Sequence, residues 1–357
     1  MINFPCVCGN TLYFENSQCM SCGRKLGYLS DVGVLSALEP VEGTTYRALS
    51  NNRVYRSCRN YHQYEVCNWM IPGQDPGQLC QSCRLNEIIP NLAEGNNIKL
   101  WYRVEKAKRR LLYTLTRLGL PVHDRLQDPE SGLAFRFMED DPATIEFLDE
   151  LSPDERVMTG HSAGTITINL AEADPSAREE IREQMNERYR TLLGHFRHES
   201  GHYYWYRLIS GGRWLDEFRD LFGDERADYQ SALQDYYANG PSRDWAESWI
   251  SAYASVHPWE DFAETWAHYL HMTDTLETAR HYGVKVRGQR MAVISTEAQL
   301  ASGYRVSMSE LMDDWGRLTE ALNAMSRSMG LPDTYPFFLT DKIKAKLAMI
   351  HRLVSET

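Results

Sequence analysis

Residues 194–206 read GHFRHESGHYYWY, and His198, Glu199, Ser200, Gly201 and His202 stand at their centre. The two histidines are four positions apart. On a helix they stack on one face and can reach one metal ion. The glutamate between them would stand beside a metal-activated water, where a general base is useful. The surrounding pattern supports a helix. Asp174-Pro175 reads as an N-cap followed by proline at the first helical position, and a long helical stretch is expected from there to about Ile209. Just upstream, residues 164–170 (GTITINL) alternate, with Ile166, Ile168 and Leu170 on one face and Thr165, Thr167 and Asn169 on the other. That is a half-buried strand by its period of two.

A hydrolytic zinc site needs a third protein ligand, with the fourth position left for water. After His202 the chain continues with aromatic residues and offers no further histidine at metal-binding register. Downstream, Pro258 fits an early helical position, and acidic residues crowd the first turn after it. Glu260 and Glu264 are four apart on that helix and share a face. One can bind zinc while the other accepts a hydrogen bond from a zinc-binding histidine.

The combination resembles the gluzincin metallopeptidases, in which a carboxylate of the later helix completes the metal site. It resembles most closely the catalytic domain of anthrax lethal factor and its relatives, which place a tyrosine seven residues before the glutamate ligand and a Phe-Ala-Glu after it. Tyr253, Glu260, Phe262, Ala263 and Glu264 fit that pattern, and His271, Thr273 and Asp274 follow. The likeness covers about residues 160–275. The whole chain also resembles a bacterial family of zinc-binding metallopeptidases with N-terminal zinc ribbons. These resemblances imply His198, His202 and Glu260 as ligands of a catalytic zinc, with Glu264 beside them or as the alternative ligand. They imply Glu199 as general base and Tyr253 as the donor to the developing oxyanion. Substrate would be an extended protein or peptide segment pairing with the strand at 164–170.

All eight cysteines lie in the first 83 residues. Cys6, Cys8, Cys19 and Cys22 form one set; Cys58, Cys67, Cys80 and Cys83 form another. Close thiol pairs on tight turns can each give two ligands to a tetrahedral zinc. Gly9 and Gly23 follow a pair, where a knuckle needs permissive φ. His62, between Cys58 and Cys67, could replace one ligand. Four thiolates leave no open position, so both sites are expected to be structural, and the zinc total is two structural ions plus one catalytic ion. The alternative for these cysteines is a disulfide module. The start of the chain, MINFPCVCGN, has neither a basic stretch nor an apolar core, so no secretory signal and a reducing, cytoplasmic setting are expected.

The chain has 357 residues, 43% hydrophobic and 24% charged, with a formal net charge of -11. Length and composition suit two or three folded domains and exclude wholesale disorder. Residues 1–100 carry eight basic and eight acidic side chains, so the acidity belongs to the remainder. An acidic whole argues against broad binding to nucleic acid or anionic membrane. No apolar run of about 18 residues is present to cross a membrane. Residues 98–118 form a helical pattern with basic Lys106, Lys108, Arg109 and Arg110; a solvated or domain-contacting face is favoured there over a nucleic-acid contact. Further helices fit 214–222, 225–238, 242–253, 258–274, 307–329 and 340–354.

The expected fold is α+β: small, β-rich zinc-ribbon modules ahead of a mostly helical, zincin-like domain with a small sheet. The expected divisions are a ribbon at 1–27, a second four-cysteine module at 45–95, and a metallopeptidase domain at 96–357. Within that domain the catalytic core would span about 155–280 and a helical part about 300–357. The ribbons would recruit a protein partner or cover the cleft. Competing readings are a zinc hydrolase acting on a non-protein amide or one specific peptide product, and a non-catalytic scaffold whose ribbons bind protein or nucleic acid. His195 is expected to pack rather than ligate, His161 to sit in a loop with no role in preference to lining the substrate cleft, and His257 to start the Glu260 helix. His268 and His271 are not ligand choices. Tyr203, Tyr204, Trp205 and Tyr206 are expected in the core and the cleft wall.

Overall fold

The computed structural model of the chain describes residues 1–139, 160–184, 191–290 and 306–357. It is α+β, and it divides into two compact units. One comprises residues 1–113 and 122–193, the other residues 114–121 and 194–357.

The first unit begins with strands β1 (Phe4–Pro5) and β2 (Thr11–Leu12), paired antiparallel around the first knuckle. Gly9 and Gly23 take φ of 86° and 71°, and each returns a backbone N–H to the first cysteine of its pair, Cys6 and Cys19. The glycine at these turns is therefore required by a left-handed backbone. Strands β3 (Leu26–Leu29), β4 (Val34–Glu42), β5 (Thr45–Ala48), β6 (Val54–Ser57) and β7 (Met70–Pro72) follow as one antiparallel sheet in chain order. A bridge between Tyr28 and Trp69 curls the sheet back on itself. Short helix α1 (Arg59–Tyr64) starts at Cys58, and its Tyr61 hydroxyl donates to the carbonyls of Leu26 and Ser17. The two cysteine sets are thus tied into one β-rich region.

A second sheet has the order β10 (Gly160–Ser162), β11 (Thr165–Asn169), β9 (Ala134–Met138), β8 (Asn86–Ile88). The alternating stretch forms β11, with Ile166 and Ile168 fully buried and Thr167 and Asn169 half-buried. It is not an edge, however. Antiparallel β10 pairs with Thr165–Thr167 on one side and parallel β9 with Thr165–Asn169 on the other, so over Thr165–Thr167 neither side is open to a substrate strand. His161 lies on β10, and its Nε2 accepts the N–H of Gly164 at 3.1 Å, closing the hairpin.

Helix α2 (Asn97–Arg117) forms where helical periodicity predicts it. Its basic stretch turns inward: Lys108 and Arg109 are buried. Lys108 pairs with Glu105 at 3.0 Å, and Arg109 donates to the Val66 carbonyl at 2.5 Å. A nucleic-acid contact there would have to expose charges that the fold has already paired.

Of the long helix expected from 174 to 209, the described residues hold α3 (Pro175–Gln184) and α4 (Leu192–Leu208), and Thr191 lies outside α4. Threonine is a residue that favours a helix start over a helix interior. Part of that expectation, 185–190, lies outside the described residues, as do 155–159 and 300–305 at the limits expected for the core and the C-terminal part. Asp174 caps α3 as expected, accepting from Ser176 and Ala177.

The second unit carries most of α4, then α5 (Leu215–Phe222), α6 (Tyr229–Asn239), α7 (Pro258–His281), hairpin strands β12 (Lys285–Val286) and β13 (Gln289–Arg290), α8 (Met308–Ser328) and α9 (Asp341–Ser355). Residues 242–253 are not the helix expected from their sequence. Single 3-10 turns at Trp245–Glu247 and Tyr253–Ser255 take its place. Ser251 explains part of this, because its hydroxyl captures the N–H of Ala254 at 3.1 Å. The core lies around α7, where Phe262, Ala263, Trp266 and Leu270 are fully buried. Trp266 stacks on Tyr204 of α4 at 5.0 Å. Gly201 makes this close approach achievable: a Cβ there would lie 2.8 Å from the Ala263 Cα.

Among the described residues no helix is long and apolar enough to cross a membrane.

Candidate metal centres

The close contact of Gly201 with Ala263 brings the His198–His202 face of α4 and the Glu260 face of α7 together. The first turn of α7 is fixed by its cap: His257 Nδ1 accepts the N–H of Trp259 at 3.1 Å, with Pro258 in the first helical turn. Glu260 then projects toward the two histidines. His198 Nε2 lies 3.2 Å from His202 Nε2 and 3.0 Å from Glu260 Oε2, and His202 Nε2 lies 3.5 Å from the same oxygen. Zinc–nitrogen and zinc–oxygen bonds of about 2.0–2.1 Å give a tetrahedron with edges of about 3.3 Å. The three donor atoms have that spacing, so the residues fit a metal ion.

Glu264 does not join this set. One of its oxygens lies 2.7 Å from His198 Nδ1, and the other accepts the Ser251 hydroxyl at 2.6 Å. The carboxylate orients the imidazole by its far nitrogen and leaves Nε2 facing Glu260. Burial opposes charge throughout the cluster. Even so, the Glu260 and Glu264 carboxylates raise the His198 pKa well above the ordinary imidazole value. In turn, His202 and His198 hold Glu260 well below the usual carboxylate range, and His198 holds Glu264 at about 2. A field that favours a proton between these groups favours a cation there for the same reason.

Glu199 is buried, and burial pushes its carboxyl upward. Its Oε2 is enclosed and has no hydrogen-bond partner among the described residues. A buried carboxylate oxygen with no partner is costly unless another group, such as water, completes the site. Trp259 lies against the His202 ring at 3.8 Å between centroids, and the Tyr253 ring is 6.0 Å from that of His198. Tyr229 was not expected from the sequence. Its hydroxyl donates to Glu260 Oε1 at 2.9 Å. Burial raises the pKa of the Tyr229 and Tyr253 phenols, so both keep their protons. Ser251 was missed as well. Neither residue belongs to a spacing motif: Tyr229 stands 31 residues before Glu260 and Ser251 13 before Glu264.

The other histidines take no part in the cluster. His257 caps α7. His268 Nδ1 meets the Tyr335 hydroxyl at 2.9 Å, and burial lowers its pKa to about 4. His271 packs its ring on Trp315 at 5.7 Å. His195 is half-buried one turn before His198. Of the four aromatic residues after His202, Tyr203, Tyr204 and Trp205 are buried and Tyr206 is 54% exposed.

Both cysteine sets gather, each with its sulfurs within 4.8 Å of one another. Cys6 and Cys22 stand 3.8 Å apart, and Cys8–Cys19 and Cys67–Cys80 are both at 3.7 Å. Zinc–sulfur bonds of about 2.3 Å give tetrahedral edges of about 3.8 Å, so both sets fit a structural zinc. None of these cysteines forms a disulfide. His62 is exposed and outside the second cluster, whose four members are all cysteines.

Comparison with known proteins places the chain among zinc-binding families. Residues 3–94 match a family described as a zinc-ribbon domain. Residues 97–353 match a family described as "Putative zinc-binding metallo-peptidase". Three uncharacterized proteins, one from Mycobacterium bovis and two from strains of Mycobacterium tuberculosis, are each 41% identical to the chain over 358 residues. The alignments cover 100% of this chain and 96% of each relative. No solved structure matches. The chain belongs to this zinc-binding metallo-peptidase family and carries an N-terminal zinc ribbon.

Proposed function

We propose that the protein is a gluzincin-type zinc peptidase that hydrolyses peptide bonds with water. The observation behind this reading is the convergence of His198 Nε2, His202 Nε2 and Glu260 Oε2 at tetrahedral spacing, with Glu199 buried next to His198 in the chain and its Oε2 without a partner among the described residues. His198, His202 and Glu260 would hold the ion, and Glu264 would orient His198. When bound, zinc lowers the pKa of a water and polarises a carbonyl oxygen. Glu199 would take the proton from that water and return it to the leaving amine. Tyr253 would donate to the oxygen that gains charge. Two cysteine-bound zincs would hold the N-terminal region together, where they leave no open coordination position.

The eight thiols, none in a disulfide, support a reducing cytoplasmic setting. The ribbon would engage a protein partner, which its exposed knuckle residues Val7 and Met20 suit. Testing the activity needs a peptide-library digest with the wild-type chain and Glu199→Gln. Cleavage by the wild type, reduced by about 10²–10⁴-fold in the variant with zinc content unchanged, supports the assignment. Full activity in Glu199→Gln sinks it. A bound third zinc with no peptide cleaved would move the substrate to a non-protein amide.

A further inference from the structure

We infer that Tyr229 is a positioning residue of the metal centre: its hydroxyl holds Glu260 Oε1 and confines that carboxylate to binding through Oε2 alone. The inference rests on the reading of His198, His202 and Glu260 as a metal site.

A carboxylate can bind an ion with one oxygen or two, and the protein decides by what it gives the second oxygen. Here the division is complete. Glu260 Oε2 faces both imidazoles at 3.0 and 3.5 Å, and Oε1 accepts the Tyr229 hydroxyl at 2.9 Å. The Glu260 side chain is only 2% exposed, so bulk water does not compete for Oε1. One-oxygen binding keeps the site four-coordinate and leaves room for water.

The geometry that delivers Tyr229 is built from the same cap that aims Glu260. His257 Nδ1 accepts from Trp259, and its Nε2 donates to the Ala227 carbonyl at 3.1 Å. One imidazole therefore ties the start of α7 to the residue two before Tyr229. The Tyr229 ring then meets His257 and Trp259 edge-on, at 5.4 and 6.0 Å. Asp228 caps α6 through the Ser231 N–H at 2.9 Å, which fixes Tyr229 as its first residue. None of the residues of α6 is buried, so the helix adds little to the core. Its Tyr229 reaches Glu260, and Tyr236, seven residues on along the same face, packs on Tyr253 at 6.0 Å.

The test compares the full chain with Tyr229→Phe and, as a control on the same helix, Tyr236→Phe. Zinc affinity at the histidine site is measured by competition with a chromophoric chelator. The same site is then loaded with cobalt while zinc stays in the cysteine sites, and the visible spectrum is recorded. Tyr229→Phe is expected to bind zinc about 10–100-fold more weakly. Its cobalt bands should also lose intensity as Glu260 adds its second oxygen. Tyr236→Phe should match the wild type on both counts. Phenylalanine at a half-exposed position opens no cavity, and a melting curve checks the fold. Unchanged affinity and spectrum in Tyr229→Phe overturn the inference while leaving the metal site standing. A wild-type chain with no metal beyond its cysteine-bound ions overturns the metal reading, and this inference with it.

Discussion

Glu264 lies 2.7 Å from Nδ1 of His198, on the opposite side of the ring from the nitrogen that faces Glu260. Two carboxylates on one helix therefore grip one imidazole from both ends. Glu264→Gln should weaken metal binding at the histidine site by about 10–100-fold and leave the cysteine-bound zincs in place. Ser251→Ala should act in the same direction and less strongly, because it removes one charge-assisted hydrogen bond. Chelator competition on both variants measures this. Equal affinity in Glu264→Gln and wild type would contradict the arrangement.

Gly201 is required by packing rather than by backbone conformation. An added Cβ would press within 2.8 Å of the Ala263 backbone. Gly201→Ala should cost about 1–3 kcal/mol as the two helices separate. The same separation should lower occupancy of the histidine site. Denaturant unfolding together with zinc content per chain checks both. A variant as stable as wild type would show that the helices can shift freely.

One turn of α7 also depends on a buried ion pair. Lys346 of α9 meets Asp261 at 2.6 Å, with both side chains nearly inaccessible. Lys346→Met should destabilise the protein by about 3–5 kcal/mol, since it strands a buried carboxylate. Adding Asp261→Asn to it should recover much of the loss. Thermal melts of the two single variants and the double variant form the cycle. A double variant no better than Lys346→Met would show that packing, and not charge, was lost.

The two cysteine sites differ in access. All four cysteines of the second set are buried, whereas Cys8 is exposed and Cys22 half-buried in the first. Under a chelator the first set should release zinc before the second. Pulsed alkylation with mass spectrometry should then find Cys8 and Cys22 modified earliest. Early labelling of Cys80 or Cys83 would reverse that order.

Much of the site was legible in the chain. The spacing of His198 and His202, the pairing of Glu260 with Glu264, and the cysteine pairs are local features, because one helical turn or one knuckle brings their side chains together. The strand at 165–169 followed from periodicity and the start of α7 from Pro258, whereas α7 runs on to His281, past the end expected at 274. Where the expectation failed, at 242–253, the Ser251 hydroxyl took a backbone N–H near the end of the stretch, a competition that helix propensity alone does not register.

Tertiary structure decided what spacing could not. That Glu260 faces the pair of histidines while Glu264 turns to the far side of His198 depends on how α4 and α7 approach across Gly201. That Tyr229 and Ser251 serve these carboxylates depends on chain folding back over 31 and 13 residues. That Arg109 is buried against the Val66 carbonyl, and that β9 pairs along β11, depends on neighbours distant in sequence. The sequence by itself determined which chemistry the chain can assemble, because ligand type and turn geometry are local. Only the packing of elements decided which oxygen meets which nitrogen, because those contacts exist once separate segments share one core.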